Sequence, residues 1–238
     1  MKVEQHVCLV CGFNMIGFRP DRCPFCGAVS SHFIAADECS ARFRVTSTTV
    51  NDKVTRLNSD PPLGLEHAAY RIETPHGPCW IDCPSSFDRS LSRADAILFT
   101  HHHFLGASNL YRDLFSAEIH IHRNDSLHDI CRPFLFDVTF EQNFVHNGIE
   151  AFHIGGHTPG FTFYIFEDVL FICDYVFLHG DSLKYNPFGP ADQTIAGGDR
   201  IRNHLEGRQL STVCGYNYTI GYDEWKRMFD AGPTFGGY

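Results

Sequence analysis

The run Phe99-Thr100-His101-His102-His103-Phe104-Leu105-Gly106 decides how this chain is read. It closes the apolar segment ADAILFT at 94–100, which has the composition of a buried strand. The histidines therefore fall at a strand's carboxyl edge. His101 and His103 are one residue apart and can face the same ion. Downstream, Gly155-Gly156-His157-Thr158-Pro159-Gly160 puts another histidine in a glycine-rich turn, and Leu170-Phe171-Ile172-Cys173-Asp174 ends an apolar run in a carboxylate. Working outward, further strand-like runs lie at 69–72, 79–81, 96–99, 119–121, 161–166 and 169–172. Helical patterns cover 108–115, 199–205 and 223–229. Strands interleaved with helices predict an α/β layered domain.

Together these stretches resemble the metallo-β-lactamase superfamily. HAAYRIETPHGPCWIDCP looks like its opening strands, including Asp82, and THHHFLG stands where that family has THxHxDH. GGHTPG matches its GHTPG turn, and LFICD resembles its LFTGD strand end. The resemblance covers roughly 45–238 and implies an αββα sandwich with metals held by loops at one edge of two sheets.

The departures carry as much information. The aspartate of THxHxDH is Leu105 here, the histidine after it is Gly106, and the late family histidine is Tyr216. The resemblance thus implies that His101, His103, His157 and the usually bridging Asp174 remain, while the second metal position has lost its own ligands. A two-metal hydrolase needs paired ions to hold a bridging hydroxide. One ion remains reasonable: three histidines suit zinc with an open position, and two histidines with a carboxylate suit non-haem iron. His101, His157 and Asp174 match the positions that hold mononuclear iron in the persulfide dioxygenase branch of the fold. Flavodiiron proteins show that the fold also hosts redox iron, although their flavodoxin partner is absent here. The expectation is one iron or zinc ion at this site, or a vacant site in a decayed enzyme.

The first 40 residues carry a second chemistry. Cys8-Leu-Val-Cys11-Gly12 and Cys23-Pro-Phe-Cys26-Gly27 are paired knuckles. Two residues between cysteines let a tight turn aim both sulfurs at one ion, and the following glycine tolerates unusual backbone angles. Cys8, Cys11, Cys23 and Cys26 are therefore expected to bind one tetrahedral metal, whose ligation supplies much of the folding free energy of so small a segment. Iron and zinc both suit four thiolates. CGFNMIGFRPDRCPFCGA is similar to the short rubredoxin domain of rubrerythrin-type proteins, which implies a one-electron iron centre. The expected organisation is a rubredoxin-like knuckle domain at 1–40, a connector around 39–44, and the larger domain at 45–238.

Composition sets the remaining bounds. A formal charge of −9 argues against sequence-independent nucleic-acid binding. No apolar stretch is long enough to span a membrane. Ten cysteines, four of them in paired CxxC motifs, read as metal ligands in a reducing soluble compartment such as the cytoplasm rather than as disulfides. The start lacks the apolar core of a signal peptide.

Other residues carry weaker expectations. His102 should point away from its neighbours toward the surface. His120 and His122 should decorate a strand. Cys79 and Cys83 are too far apart on an extended chain to chelate together, and Cys173 reads as a small buried side chain. Cys39, Cys131 and Cys214 have no pairing logic. Tyr216 is a weak catalytic candidate, through a hydrogen bond to a metal-bound ligand, with packing as the plainer role. Tyr218, Tyr222, Trp225 and Phe229 should seal a C-terminal helix against the sheet.

The leading functional expectation is a redox protein in which electrons enter at the four-cysteine iron and pass to a mononuclear metal site or a redox partner protein. The alternatives are a single-metal hydrolase with a structural zinc knuckle and a non-enzymatic assembly factor. Substrate and oligomeric state are not encoded in any recognisable motif.

Overall fold

In the computed structural model, which describes residues 4–235, apolar runs of three to five residues become strands that are buried on both faces. The expected domain limits at 1 and 238 lie outside the described residues. The chain opens with β1 (Gln5–Cys8), β2 (Asn14–Ile16) and β3 (Phe33–Ala35), ordered β2-β1-β3, and a helix, α1 (Ala36–Arg42). The stretch read as a connector is thus largely helical. Asp37 and Glu38 sit in its first turn and Arg42 in its last, as the helix dipole favours.

The first large sheet runs in chain order through β4 (Arg44–Thr49), β5 (Val54–Asp60), β6 (Ala69–Thr74), β7 (Gly77–Ile81), β8 (Ala96–Leu98), β9 (Glu118–His122) and β10 (Val138–Phe140). Helices α2 (Ser108–Phe115) and α3 (Arg123–Ser126) link its last three strands. The second sheet begins with β11 (Phe144–His146), β12 (Ile149–His153), β13 (Thr162–Phe166) and β14 (Val169–Cys173). A hairpin of β15 (Val176–His179) and β16 (Ser182–Tyr185) and helix α4 (Ala191–Leu205) follow. β17 (Thr212–Gly215) then returns parallel to β14, β18 (Thr219–Gly221) completes the sheet, and α5 (Tyr222–Asp230) ends the chain's regular structure.

Period-two alternation sorts each strand's side chains into layers. Cys79, Ile81, Ala96 and Leu98 face Tyr164, Phe166, Val169 and Phe171 across the sandwich. Trp80, Ile97 and Ile119 point outward and meet Tyr111 of α2. Phe163, Ile165, Leu170 and Val213 point to the opposite outer face, against Ile201 and Leu205 of α4 and Trp225 and Phe229 of α5. Each such large side chain contributes about 1.5–3 kcal/mol on burial. The layers read helix, sheet, sheet, helix: the αββα sandwich. The predicted seal of the C-terminal helix is present, with Tyr218 and Tyr222 in the same cluster.

Helix α4 starts at Ala191, well before the expected 199. Gly197 and Gly198 disguise its first half, because glycine is a poor helix former. A Cβ at Gly197 would lie 1.9 Å from Tyr175 Oη, so close packing, not flexibility, sets that residue. The small N-terminal sheet is no appendage. Cys8, Cys11, Phe13, Cys23 and Phe33 share one buried cluster with Trp80, Leu105 and Phe134 of the sandwich, and Asn14 Nδ2 donates to the Ser85 carbonyl at 3.0 Å.

Candidate metal centres

The two cysteine knuckles are built alike. Cys8 N–H donates to Phe13 O at 2.9 Å and Gly12 N–H to Cys8 O at 2.8 Å; Cys23 N–H donates to Ala28 O at 2.7 Å and Gly27 N–H to Cys23 O at 2.9 Å. Gly12 and Gly27 carry φ of +80° and +75°, the left-handed conformation such a turn requires. The result brings all four sulfurs within 4.8 Å of one another. Cys8 Sγ lies 3.7 Å from Cys26 Sγ, and Cys11 Sγ 3.7 Å from Cys23 Sγ. A tetrahedral ion with metal–sulfur bonds of about 2.3 Å separates its sulfurs by about 3.8 Å, whereas a disulfide needs about 2.05 Å. The donor set fits one tetrahedral ion and no disulfide. The Cys23 and Cys8 thiols, then burial, push the Cys11 pKa up, so four thiolates this close call for a cation.

At the other centre, the turn after β8 delivers His101 and His103, the turn between β12 and β13 delivers His157, and Asp174 directly follows β14. One ligand atom from each lies within 4.8 Å of the others. His157 Nε2 is 3.1 Å from His103 Nδ1 and 3.5 Å from Asp174 Oδ2. Three of these residues are 2% exposed, namely His101, His157 and Asp174.

Hydrogen bonding settles the tautomer of His101. The Thr100 backbone N–H and hydroxyl both donate to Asp82, at 2.9–3.0 Å. The hydroxyl has one proton, so Thr100 Oγ1 accepts from His101 Nδ1–H at 2.9 Å. His101 Nε2 is left as a bare lone pair. It is buried without a hydrogen-bond partner, 3.5 Å from Asp174 Oδ1, which is equally unpartnered. Two buried acceptors facing one another need a proton or a cation between them. Burial, then the Asp82 charge, holds Asp174 well above the usual carboxylate range, and burial pushes His101 well below the ordinary imidazole value. Burial likewise lowers His157 to about 3 and raises Asp82 to about 6. These residues fit a single cation, which would restore the charge that burial suppresses.

Three residues outside the sequence-derived set complete the centre. Asn186 Nδ2 donates to Asp174 Oδ2 at 2.8 Å and lies 3.2 Å from His157 Nε2, while its Oδ1 accepts from Phe188 N–H at 3.0 Å, fixing the amide's orientation. Asp125, fully buried on α3, ties the two histidine loops together. Its Oδ1 accepts from Gly160 N–H at 2.7 Å, and its Oδ2 from the Thr158 hydroxyl at 2.8 Å and His102 N–H at 3.1 Å. His67 also borders Asp174. Its Nε2 is 3.6 Å from Asp174 Oδ2, its Nδ1 is 3.3 Å from Cys173 Sγ, and its ring packs at a 31° tilt on that of Phe104, centroids 3.4 Å apart. The one sequence signal for Asp125 and His67 was their place beside strand ends on the metal edge.

The surface role expected for His102 is wrong. The residue is 4% exposed, with Nδ1 3.1 Å from Asp125 Oδ2 and the ring stacked on His128 at 4.2 Å. The segment is a turn rather than extended strand, so alternation does not throw the middle histidine outward. His120 and His122 do stand on β9, where their rings meet His146 and His153. Cys173 is buried at φ +47°, a strained conformation for a residue with a side chain. All described cysteines are free of disulfides, Cys39, Cys79, Cys83, Cys131 and Cys214 among them, and all five are buried.

Leu105, Gly106 and Tyr216, the positions where the resemblance expects second-metal ligands, serve packing here. Leu105 joins the outer core. Gly106 has φ +54°, and a Cβ there would lie 2.4 Å from Cys83 O and 2.5 Å from Pro84 O, so no histidine fits. The Tyr216 ring packs at 4.9 Å from both His67 and Phe177.

No protein-family model and no curated protein matches this chain. Among solved structures it is similar to TTHA1623 in a di-iron-bound form, at 19% identity over 77% of this chain and 98% of that one, TM-score 0.58. It is also similar to a metallo-β-lactamase from Pontibacter korlensis, at 14% over 79% and 98%, TM-score 0.62. A third is the metallo-β-lactamase FIM-1 from Pseudomonas aeruginosa in its mono-zinc form, at 12% over 79% and 95%, TM-score 0.61. At such identities the likeness establishes the fold: the body of this chain is a metallo-β-lactamase-like αββα sandwich, carrying at its N-terminal end a four-cysteine cluster compatible with a rubredoxin-like knuckle.

Proposed function

We propose that this chain is a redox protein in which a rubredoxin-type iron centre at Cys8, Cys11, Cys23 and Cys26 exchanges single electrons with one metal ion held by His101, His103, His157 and Asp174. The carrying observation is the shared pocket: Phe25 and Cys26 line the same cavity as His103 and Asp174, and the Phe25 ring lies 5.3 Å from that of His103. A knuckle needed only for folding has no cause to present a ligand cysteine to that cavity. Iron in four thiolates would supply one-electron chemistry, and an ion in a histidine–carboxylate set would supply an open position for a small ligand. The chain's own part is positioning. Asp82 and Thr100 hold His101 in the Nε2-ligating tautomer, Asn186 orients Asp174, and Asp125 locks the two histidine loops together. Phe25 spans the gap between the centres. An external one-electron donor protein would complete the cycle. That TTHA1623 carries two irons in this fold supports iron here.

The test is metal analysis with visible and paramagnetic resonance spectroscopy of the protein as isolated. Iron–thiolate absorption that bleaches on reduction, with a second iron in a nitrogen–oxygen environment, is expected. Colourless protein carrying zinc alone would refute the reading.

One observation favours a second reading. Three histidines around one ion are also a zinc hydrolase's ligands, and FIM-1 has been captured in a mono-zinc form. Ester or thioester hydrolysis abolished by His157→Ala would support that reading; inactivity of the metal-loaded protein on such a panel would exclude it.

A further inference from the structure

The pocket above the histidine–aspartate centre has a volume of about 820 Å³, ample for a small-molecule ligand. Its walls are mostly aromatic and aliphatic: Phe25, Phe104, Phe177, Phe188, Leu65 and Tyr216. Among the described residues that line it there is no lysine and no arginine, and its one carboxylate, Asp174, lies at the metal centre. The chain as a whole carries −9. Apart from an ion held at the centre itself, a substrate bearing phosphate or carboxylate groups would find no cation in these walls to replace its hydration and would approach against the overall field.

The mouth is apolar too. Leu65 is 57% and Phe188 75% exposed, and both belong to the pocket. The wall's distinctive polar group is His128. Its Nδ1 accepts from Ile130 N–H at 3.3 Å, so the neutral ring carries its proton on Nε2 and offers a hydrogen-bond donor. Stacking of His128 on the buried His102 ring, 16° from parallel, holds that donor in place.

Building on the redox reading of the same centre, we propose that the pocket takes a neutral, flat aromatic molecule bearing a carbonyl or hydroxyl oxygen. The ring lies among the phenylalanines, the oxygen accepts from or donates to the polar groups near the metal edge, and any apolar substituent trails out over Leu65 and Phe188. This chemistry sets the pocket apart from one for charged lactams, acyl thioesters of nucleotide carriers or thiol-peptide substrates.

The experiment is equilibrium dialysis of the full-length, metal-bearing protein against two matched probes, 2-acetonaphthone and 2-naphthoate. The neutral ketone is expected to bind at least tenfold more tightly. Phe188→Asp, at an exposed position, should weaken the ketone at least fivefold, and Leu65→Arg should strengthen the carboxylate by a similar factor. Naphthoate binding as tightly as the ketone, or ketone binding that neither substitution alters, would overturn the proposal. Metal analysis of the same samples separates the two readings. Iron at both centres without ketone binding sinks this inference alone, whereas ketone binding to protein that holds only zinc sinks the redox reading and leaves the pocket's preference standing.

Discussion

Asp125→Asn is the sharpest probe of how the histidine centre is held together. In the native protein Asp125 accepts from Gly160 N–H, the Thr158 hydroxyl and His102 N–H, and lies beside the His102 ring. Burial raises its pKa, but the His102 ring and these donors outweigh that and leave it below the usual carboxylate value. In the asparagine variant Oδ1 still accepts from Gly160, and the Thr158 hydroxyl can rotate to accept. The His102 backbone N–H faces an amide NH₂ instead of an oxygen, and the ring loses its anionic partner. A buried donor left unsatisfied costs about 1–3 kcal/mol, and more when the lost partner is charged, so about 2–4 kcal/mol of stability should go. Both histidine loops loosen, and loss of an outer-shell partner of this kind lowers metal affinity by about 10–100-fold. Urea unfolding gives the first quantity and competition with a chelator the second, with the four-cysteine absorption as an internal control. Stability within about 0.5 kcal/mol of the parent together with unchanged metal affinity would refute the clamp.

Other perturbations test other parts of the structure. Metal-free protein should lose stability in acid: burial keeps the folded pKa values of His67, His101, His103 and His157 low, so below about pH 6.5 the unfolded chain binds more protons at these sites. Burial raises Glu66, Asp82 and Asp174, which oppose this in part, while burial also lowers His120, His122, His128, His146 and His204 and adds to the loss; a urea midpoint that stays flat from about pH 6 to 4 would contradict it. Gly106→His should destabilise the fold by about 2 kcal/mol or more without adding a second ion, since the side chain meets the Cys83 and Pro84 carbonyls; two bound ions per histidine centre would show the argument wrong. Phe25→Ala should leave the four-cysteine spectrum intact and slow reduction of the second centre at least tenfold in stopped flow, and an unchanged rate would remove Phe25 from the route. Tyr216→Phe should leave the metal stoichiometry unchanged, because the ring serves through packing on His67 and Phe177; loss of metal would restore a ligand role to the phenol.

Local pattern was enough for much of this protein. Strands such as β7, β8, β13 and β14 were legible because a strand buried on both faces must be a continuous apolar run. The knuckles were legible because chelation by CxxC is a matter of two residues' spacing. His101, His103, His157 and Asp174 could be picked out because each lies in a short motif just past a strand or in the turn between two, and where a strand ends fixes which edge of the sandwich those residues reach. Tertiary structure alone decided the rest. His102 turned inward because Asp125, 23 residues away, supplies a buried carboxylate, and alternation holds only while the chain is extended. His67 and Asn186 flank Asp174 from separate loops that no periodicity connects. Sterics fix Gly106, which lies so close to the backbone carbonyls of Cys83 and Pro84 that no side chain fits. Above all, the two centres open onto one pocket through the Phe25–His103 contact. Spacing along a chain specifies which atoms can chelate together; only the packing of one layer on another specifies which chelates face each other.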